Sequence, residues 1–80
     1  MTAPSLRAII ADMLEIGADQ LDETSGMNVT ENWDSLKQFL IMSAIEQDLS
    51  ASFAISDMER VGSVAEIRAL LTAQGIATND

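Results

Sequence analysis

Apolar residues recur along this chain with the helical period. Leu6, Ile9, Ile10, Met13 and Leu14 fall at i, i+3, i+4, i+7 and i+8, which places them on one face of a helix. That spacing predicts a helix over residues 4–16, with Pro4 in the first turn, where its missing N–H costs nothing. Arg7, Asp12 and Glu15 take the wet side, and Gly17 is the expected stop. From 17 to 33 no period survives. Gly17, Gly26, Asn28 and Asn32, interspersed with Ser, Thr and Asp, predict a long loop, with Leu21, Met27 and Val29 as its expected apolar anchors. A connection of this length in a small domain is usually functional or mobile.

The apolar density peaks over residues 35–49, the predicted second helix. Asp34 suits its N-cap, since a carboxylate there accepts from the free amides of the first turn, and Lys37 at N3 makes this a simple cap, not a capping box. At about 100° per residue, Ile41, Ile45 and Leu49 group on one side, Leu36, Phe39 and Leu40 spread over another arc, and Met42 lies between. Ser35, Phe39, Ser43 and Glu46 fall near one line. One core stripe does not absorb all of these. Either neighbouring helices cover this helix on two sides, or an apolar strip stays exposed to dock a partner. The two accounts are compatible if only Leu36, Leu40 and part of Phe39 remain outside.

Beyond Ser50-Ala51-Ser52, Phe53 and Ile55 are expected to dock into the core from a loop. Ser56 is placed to cap a short helix over Asp57 to Val61, which Gly62 ends. Ser63 then caps a last helix carrying Val64, Ile67, Leu70 and Leu71, which Gly75 closes, with Ala77 to Asp80 fraying. No strand pattern, repeat or low-complexity segment interrupts this. The predicted fold is all-α: a small four-helix bundle of three main helices and one short one, with a long loop between helices one and two.

Length limits the chemistry. At 80 residues the chain is expected to be one domain, and a domain so small buries only about 60% of its unfolded surface, too little for a deep catalytic pocket. Cysteine and histidine are both absent, which removes thiol nucleophiles, thiolate metal sites, the commonest general base and any Ser-His-Asp triad. Neither a catalytic residue nor a metal ligand is assigned, and the chain is read as not itself an enzyme. Acids outnumber bases 13 to 4, for a net charge of −9. That balance disfavours nucleic acid and anionic membrane surfaces and favours a protein partner with a basic patch. No basic-then-apolar leader and no apolar run of membrane-spanning length is visible, so the expected setting is cytoplasmic, without membrane insertion.

The acidic loop at residues 19–32 raises the question of calcium. With Gly26 at the sixth position of an EF-hand loop, the first is Leu21 and the twelfth Asn32, where acids are required, so that reading fails.

One motif remains. Asp34-Ser35-Leu36 opens an apolar helix after a long loop in an acidic chain, and Ala44-Ile45-Glu46-Gln47-Asp48-Leu49 gives that helix an acidic end. With Leu6, Ile9, Ile10 and Met13 before it and Phe53, Val61 and Val64 after it, most of the chain resembles the acyl carrier protein family. The resemblance implies that Ser35 is esterified by a 4′-phosphopantetheine arm, which a phosphopantetheinyl transferase takes from coenzyme A with magnesium. The arm's thiol carries acyl groups as thioesters, so the cofactor supplies the sulfur that the chain lacks. It further implies that Asp34, Leu36, Phe39, Ser43 and Glu46 meet the transferase and the acyl-loading and acyl-processing enzymes. Met58 would complete that surface, line an acyl cleft or fill the core. A monomer is expected.

The chain also departs from the family's pattern. Lys37 and Leu40 stand where fatty-acid carriers usually have acidic or polar residues, and Asn32-Trp33 replaces their small-residue lead-in. A Trp-Asp-Ser-Leu version looks more like free-standing carriers of specialised pathways, such as polyketide, peptide or surface-polysaccharide assembly, than like bulk fatty-acid synthesis. The missing Gly-Gly lead-in of peptidyl carriers leans towards acyl over aminoacyl cargo. Trp33 itself reads as an apolar anchor before the helix. The alternative is a non-enzymatic helical adaptor that binds a partner through the apolar strip of helix two and leaves Ser35 dispensable.

Overall fold

A computed structural model describes residues 5–78. Four α-helices follow one another: α1 (Leu6–Leu14), α2 (Ser35–Leu49), α3 (Ile55–Arg60) and α4 (Val64–Ala73), with a single 3₁₀ turn at Ala18–Gln20. The predicted all-α bundle is therefore the fold, with three main helices, a short one and the long first connection. No strand forms among the described residues; one isolated bridge pairs Gly26 with Ser63.

α1 is shorter than its apolar pattern suggested. Ser5 caps it, its Oγ accepting from Ala8 N at 3.1 Å, and Pro4 lies outside the described residues. Gly17 is not the stop. Glu15 takes the left-handed conformation (φ 59°), and Ile16 N donates back to Ala11 O. This back-bonded ending also places Ile16 against the core, and that contact offsets the strain of a left-handed non-glycine residue. α4 ends in the same way at Gly75 (φ 77°), where Ile76 N donates to Leu71 O and the Ile76 side chain packs on the core. That closing glycine was predicted correctly.

The core is one cluster. Leu6, Ile9, Ile10 and Leu14 of α1 meet Ile41, Met42 and Ile45 of α2 and Val64, Ile67 and Leu71 of α4, with Leu21, Trp33, Phe53, Met58 and Val61 closing the edges. Phe53 docks as expected. Ile55 does not: it opens α3 and is 71% exposed. Nor does Ser56 cap that helix. The N-cap is Ala54, whose amide donates to Asp57 Oδ2, so α3 starts two residues earlier than predicted. Val29, expected as an anchor, is 78% exposed, leaving Leu21 and the partly buried Met27 to hold the loop. Thr78, expected to fray, accepts from Arg68 Nη1 at 2.6 Å, while residues 79–80 lie outside the described ones.

The long connection is fastened to the start of α4. Met27 N donates to Gly62 O, Val64 N to Ser25 O and Ala65 N to Glu23 O, at 2.9 to 3.1 Å. Ser63 Oγ takes the Glu66 amide, as the predicted cap should. These bonds satisfy amides that a helix start leaves open. Gly26 permits the approach, since a Cβ there would stand 2.0 Å from Gly62 O. Gly26→Ala should therefore destabilise the fold by about 1–3 kcal/mol, as overpacking against fixed backbone does, read as a lowered midpoint in urea unfolding.

A tight turn precedes this clamp. Thr24 Oγ1 and the Thr24 and Ser25 amides donate to Asp22 Oδ1 at 2.5, 2.8 and 3.1 Å. The Thr24 hydroxyl first, then the amides, hold the Asp22 carboxyl below its ordinary value of 3.8. A depressed folded value contributes stability that is present above 3.8 and lost as pH falls through the folded value. In Thr24→Val the Asp22 carboxyl should titrate higher, nearer 3.8, in a carbon-detected NMR titration.

Candidate functional site

Asp34 caps α2 as predicted: its Oδ1 accepts from Lys37 N at 2.9 Å. Ser35, the first residue of the helix, is exposed. Leu36 and Phe39 are 67% and 55% exposed, and Leu40 lies at the margin of exposure. Ile41, Met42 and Ile45 point inward and are fully buried. One face of the crowded helix is thus covered, and an apolar strip beginning beside Ser35 stays outside.

That strip borders a cleft. Ser35 and Phe39 on α2 face Ile55, Met58 and Glu59 on α3, with Met27 of the long loop at one end, around about 340 Å³ of space. Ser35 and Phe39 are four residues apart and so share a helix face. Met58 is both core and cleft wall: it is buried, and it lines the opening.

Gln38 also lines this cleft, at 3% exposure, and sequence reasoning passed it over. Its Oε1 accepts from Trp33 Nε1 at 2.7 Å, and its Nε2 donates to Met58 O at 3.0 Å and to Val61 O. The signal was available. Gln38 is the first member of the stripe that continues through Ile41, Met42 and Ile45, so a polar residue heads the core face of α2. A buried amide demands partners, and the tryptophan five residues earlier was one. Trp33 is the buried anchor expected of it, and it is a hydrogen-bond donor as well.

Two polar side chains near the start of α2 find structural roles here. Lys37 Nζ donates to Met13 O at 3.2 Å, and Asn32 Nδ2 to Leu14 O at 3.3 Å. Both side chains close terminal carbonyls of α1, where a cation also suits the helix dipole. Asn32 reaches them from a left-handed backbone (φ 70°).

The remaining predicted contacts are dispersed along α2. Ser43 is half-buried one turn beyond Phe39. Glu46 is partly buried, and its Oε2 accepts from Phe53 N at 2.8 Å, so this carboxylate is engaged in holding the α2–α3 connection. Of the predicted residues, Ser35, Phe39 and Met58 thus line the cleft, Asp34 and Leu36 flank Ser35 in the chain, and Ser43 and Glu46 lie farther along the helix.

No family model, curated protein or solved structure matches the chain. The site's chemistry is argued from its own residues. It offers an exposed primary hydroxyl, a helix start capped by Asp34, and an apolar cleft lined in part by that serine. A helix start suits an anion, and an apolar cleft suits an apolar group.

The cap is separable from the cleft. Asp34→Ala should cost about 1 kcal/mol of stability, the usual loss for an N-cap acid, seen as a lower thermal midpoint with helical circular dichroism retained.

Proposed function

We propose that this chain is a carrier protein in which the Ser35 hydroxyl displaces the nucleotide part of coenzyme A and so acquires a 4′-phosphopantetheine arm. The thiol of that arm then holds acyl groups as thioesters and passes them between biosynthetic enzymes. The observation that carries the reading is the position of Ser35. It is exposed at the start of a capped helix and forms part of the rim of an apolar cleft of about 340 Å³. An adventitious first-turn serine needs no cleft beside it.

The apolar lining of Met27, Phe39, Ile55 and Met58 supports acyl cargo over aminoacyl cargo. Leu36 and Phe39 offer client enzymes an apolar contact beside the acid of Asp34, and the net charge of −9 favours clients with basic docking patches. Lys37 and Leu40 keep the start of α2 less acidic than in bulk fatty-acid carriers, which supports a specialised pathway. No described helix is long and apolar enough to cross a membrane.

The adaptor reading draws on the same exposed residues. Leu36, Phe39 and Ile55 would form a docking patch with Ser35 unmodified. Intact mass spectrometry separates the two. Incubation with coenzyme A, magnesium and a promiscuous phosphopantetheinyl transferase should add one phosphopantetheine to the wild type and none to Ser35→Ala. A folded wild type that gains nothing with two different transferases would overturn the carrier reading and leave the adaptor.

A further inference from the structure

α3 is the weak wall of the cleft. It spans only Ile55–Arg60, far below the length at which a helix holds itself together in water. Its N-cap residue is Ala54, with no side-chain oxygen to offer. The Arg60–Asp57 ion pair lies at the surface and lies wholly within α3, so it does not tie α3 to its neighbours. The cleft side of α3 carries Ile55, which is 71% exposed and contributes little burial. Apolar attachment rests on Met58 and on the flanking Phe53 and Val61.

Among the described residues, polar attachment of α3 itself to α2 comes from the Gln38 side chain, while Glu46 holds the connection before it at Phe53 N. Gln38 donates both of its amide hydrogens to the end of α3, to Met58 O and to Val61 O. Carbonyls at a helix C-terminus have no following amides to meet them. Gln38 supplies those amides from a different helix. Its remaining acceptor is occupied by Trp33 Nε1, which stops the amide from turning over and sets which end faces α3. Every hydrogen-bonding direction of this buried group except one lone pair is then spent: two donors on the end of α3 and one acceptor on Trp33.

We propose that Gln38, oriented by Trp33, is the positioning residue that pins α3 to α2 and thereby sets how long an apolar chain the cleft admits. The pin is independent of any modification of Ser35. Its bearing on cargo size rests on the carrier reading. Loss of the pin takes this donor from the carbonyls of Met58 in α3 and of Val61 just past its end, so that α3 loosens while the α1, α2 and α4 core stays packed.

The test uses the unmodified chain, so that it stands or falls apart from the carrier reading. Amide hydrogen exchange is followed by NMR in the wild type, in Gln38→Met, which keeps length and removes the two donors and the acceptor of Trp33, and in Trp33→Phe, which removes the indole donor and part of the buried ring while leaving both Gln38 donors. A series of straight-chain primary alcohols is then titrated, with the Met27 and Met58 methyl signals as the readout of cleft occupancy. In Gln38→Met the amides of Met58 to Val61 should exchange at least about tenfold faster, with those of α1 and α4 unchanged. The longest alcohol that perturbs both methyl signals should become longer. Trp33→Phe should move both readouts in the same direction by less.

Unchanged α3 exchange in a folded Gln38→Met would overturn the proposal. So would acceleration of all helices together, which is the mark of a residue that only stabilises the fold, or an unaltered alcohol length limit. Should Gln38→Met not fold, the wild type still decides. The Gln38 side-chain amide protons should exchange slowly and show Overhauser contacts to Met58 and Val61, and rapid exchange without those contacts would refute the pin.

Discussion

The fold depends on how the connection between α1 and α2 satisfies its own backbone. A segment from residue 15 to 34 in so small a domain carries many amides and carbonyls that an apolar core cannot meet. The chain resolves this by laying the segment against the first turn of α4. Ser25 O and Glu23 O accept from Val64 and Ala65, and Met27 N donates to Gly62 O. Open groups on both sides are closed by the same few bonds, and Gly26 keeps the two backbones near enough to make them. The loop is thus a strap between α4 and α2. Its far end, Trp33-Asp34, is held by the buried indole and by Asn32 on the end of α1, which is why the hydroxyl of Ser35 occupies a defined place.

α2 serves two surfaces with one sequence. Gln38, Ile41, Met42 and Ile45 face inward, while Leu36, Phe39 and Leu40 stay wholly or partly outside. Exposed aliphatic and aromatic residues forgo stabilisation of about 25 cal/mol for each Å² left wet, and in a domain with a thin core that loss matters. Burying them would require a further helix on α2. The six residues of α3 cover only part of that face, and the gap they leave is the cleft. The short helix and the exposed strip are two consequences of one shortage of covering chain.

Much of this was legible from period and punctuation. The α1, α2 and α4 stripes, the Asp34 and Ser63 caps, the Gly75 ending and the burial of Trp33 and Phe53 all follow from local rules. The errors arose where a side chain answers to a distant partner. Glu15 takes a left-handed turn that glycine would favour because Ile16 gains the core by it, so Gly17 misled as a stop. Ser56 looked like a cap, but the docking of Phe53 and Met58 sets where α3 begins, two residues upstream. Val29 and Ile55 are apolar by composition and exposed by position. Of the site, Ser35 and its cap could be read directly. The cleft could not, because it exists only when α3 is brought against α2, and Gln38 shows its importance only once the carbonyls of Met58 and Val61 are in view.

Charge joins the site to its surroundings. The four basic residues are all engaged: Arg7 donates to Leu21 O, Lys37 to Met13 O, Arg60 to Asp57, and Arg68 to Glu23 and Thr78. Two of these tie carbonyls at the α1 end of the long connection, and a third ties that connection to α4. The cations therefore act as internal fasteners, while Glu31, Asp34 and Glu59 stay exposed and take part in none of these bonds. A field of that sign attracts a basic partner over roughly a Debye length, about 8 Å at physiological salt, before any apolar contact forms. On the carrier reading, the strip of Leu36 and Phe39 would then supply a small contact that releases readily. On the carrier reading this division suits a protein that visits several enzymes: long-range attraction gives the encounter, and a modest apolar patch keeps each stay short.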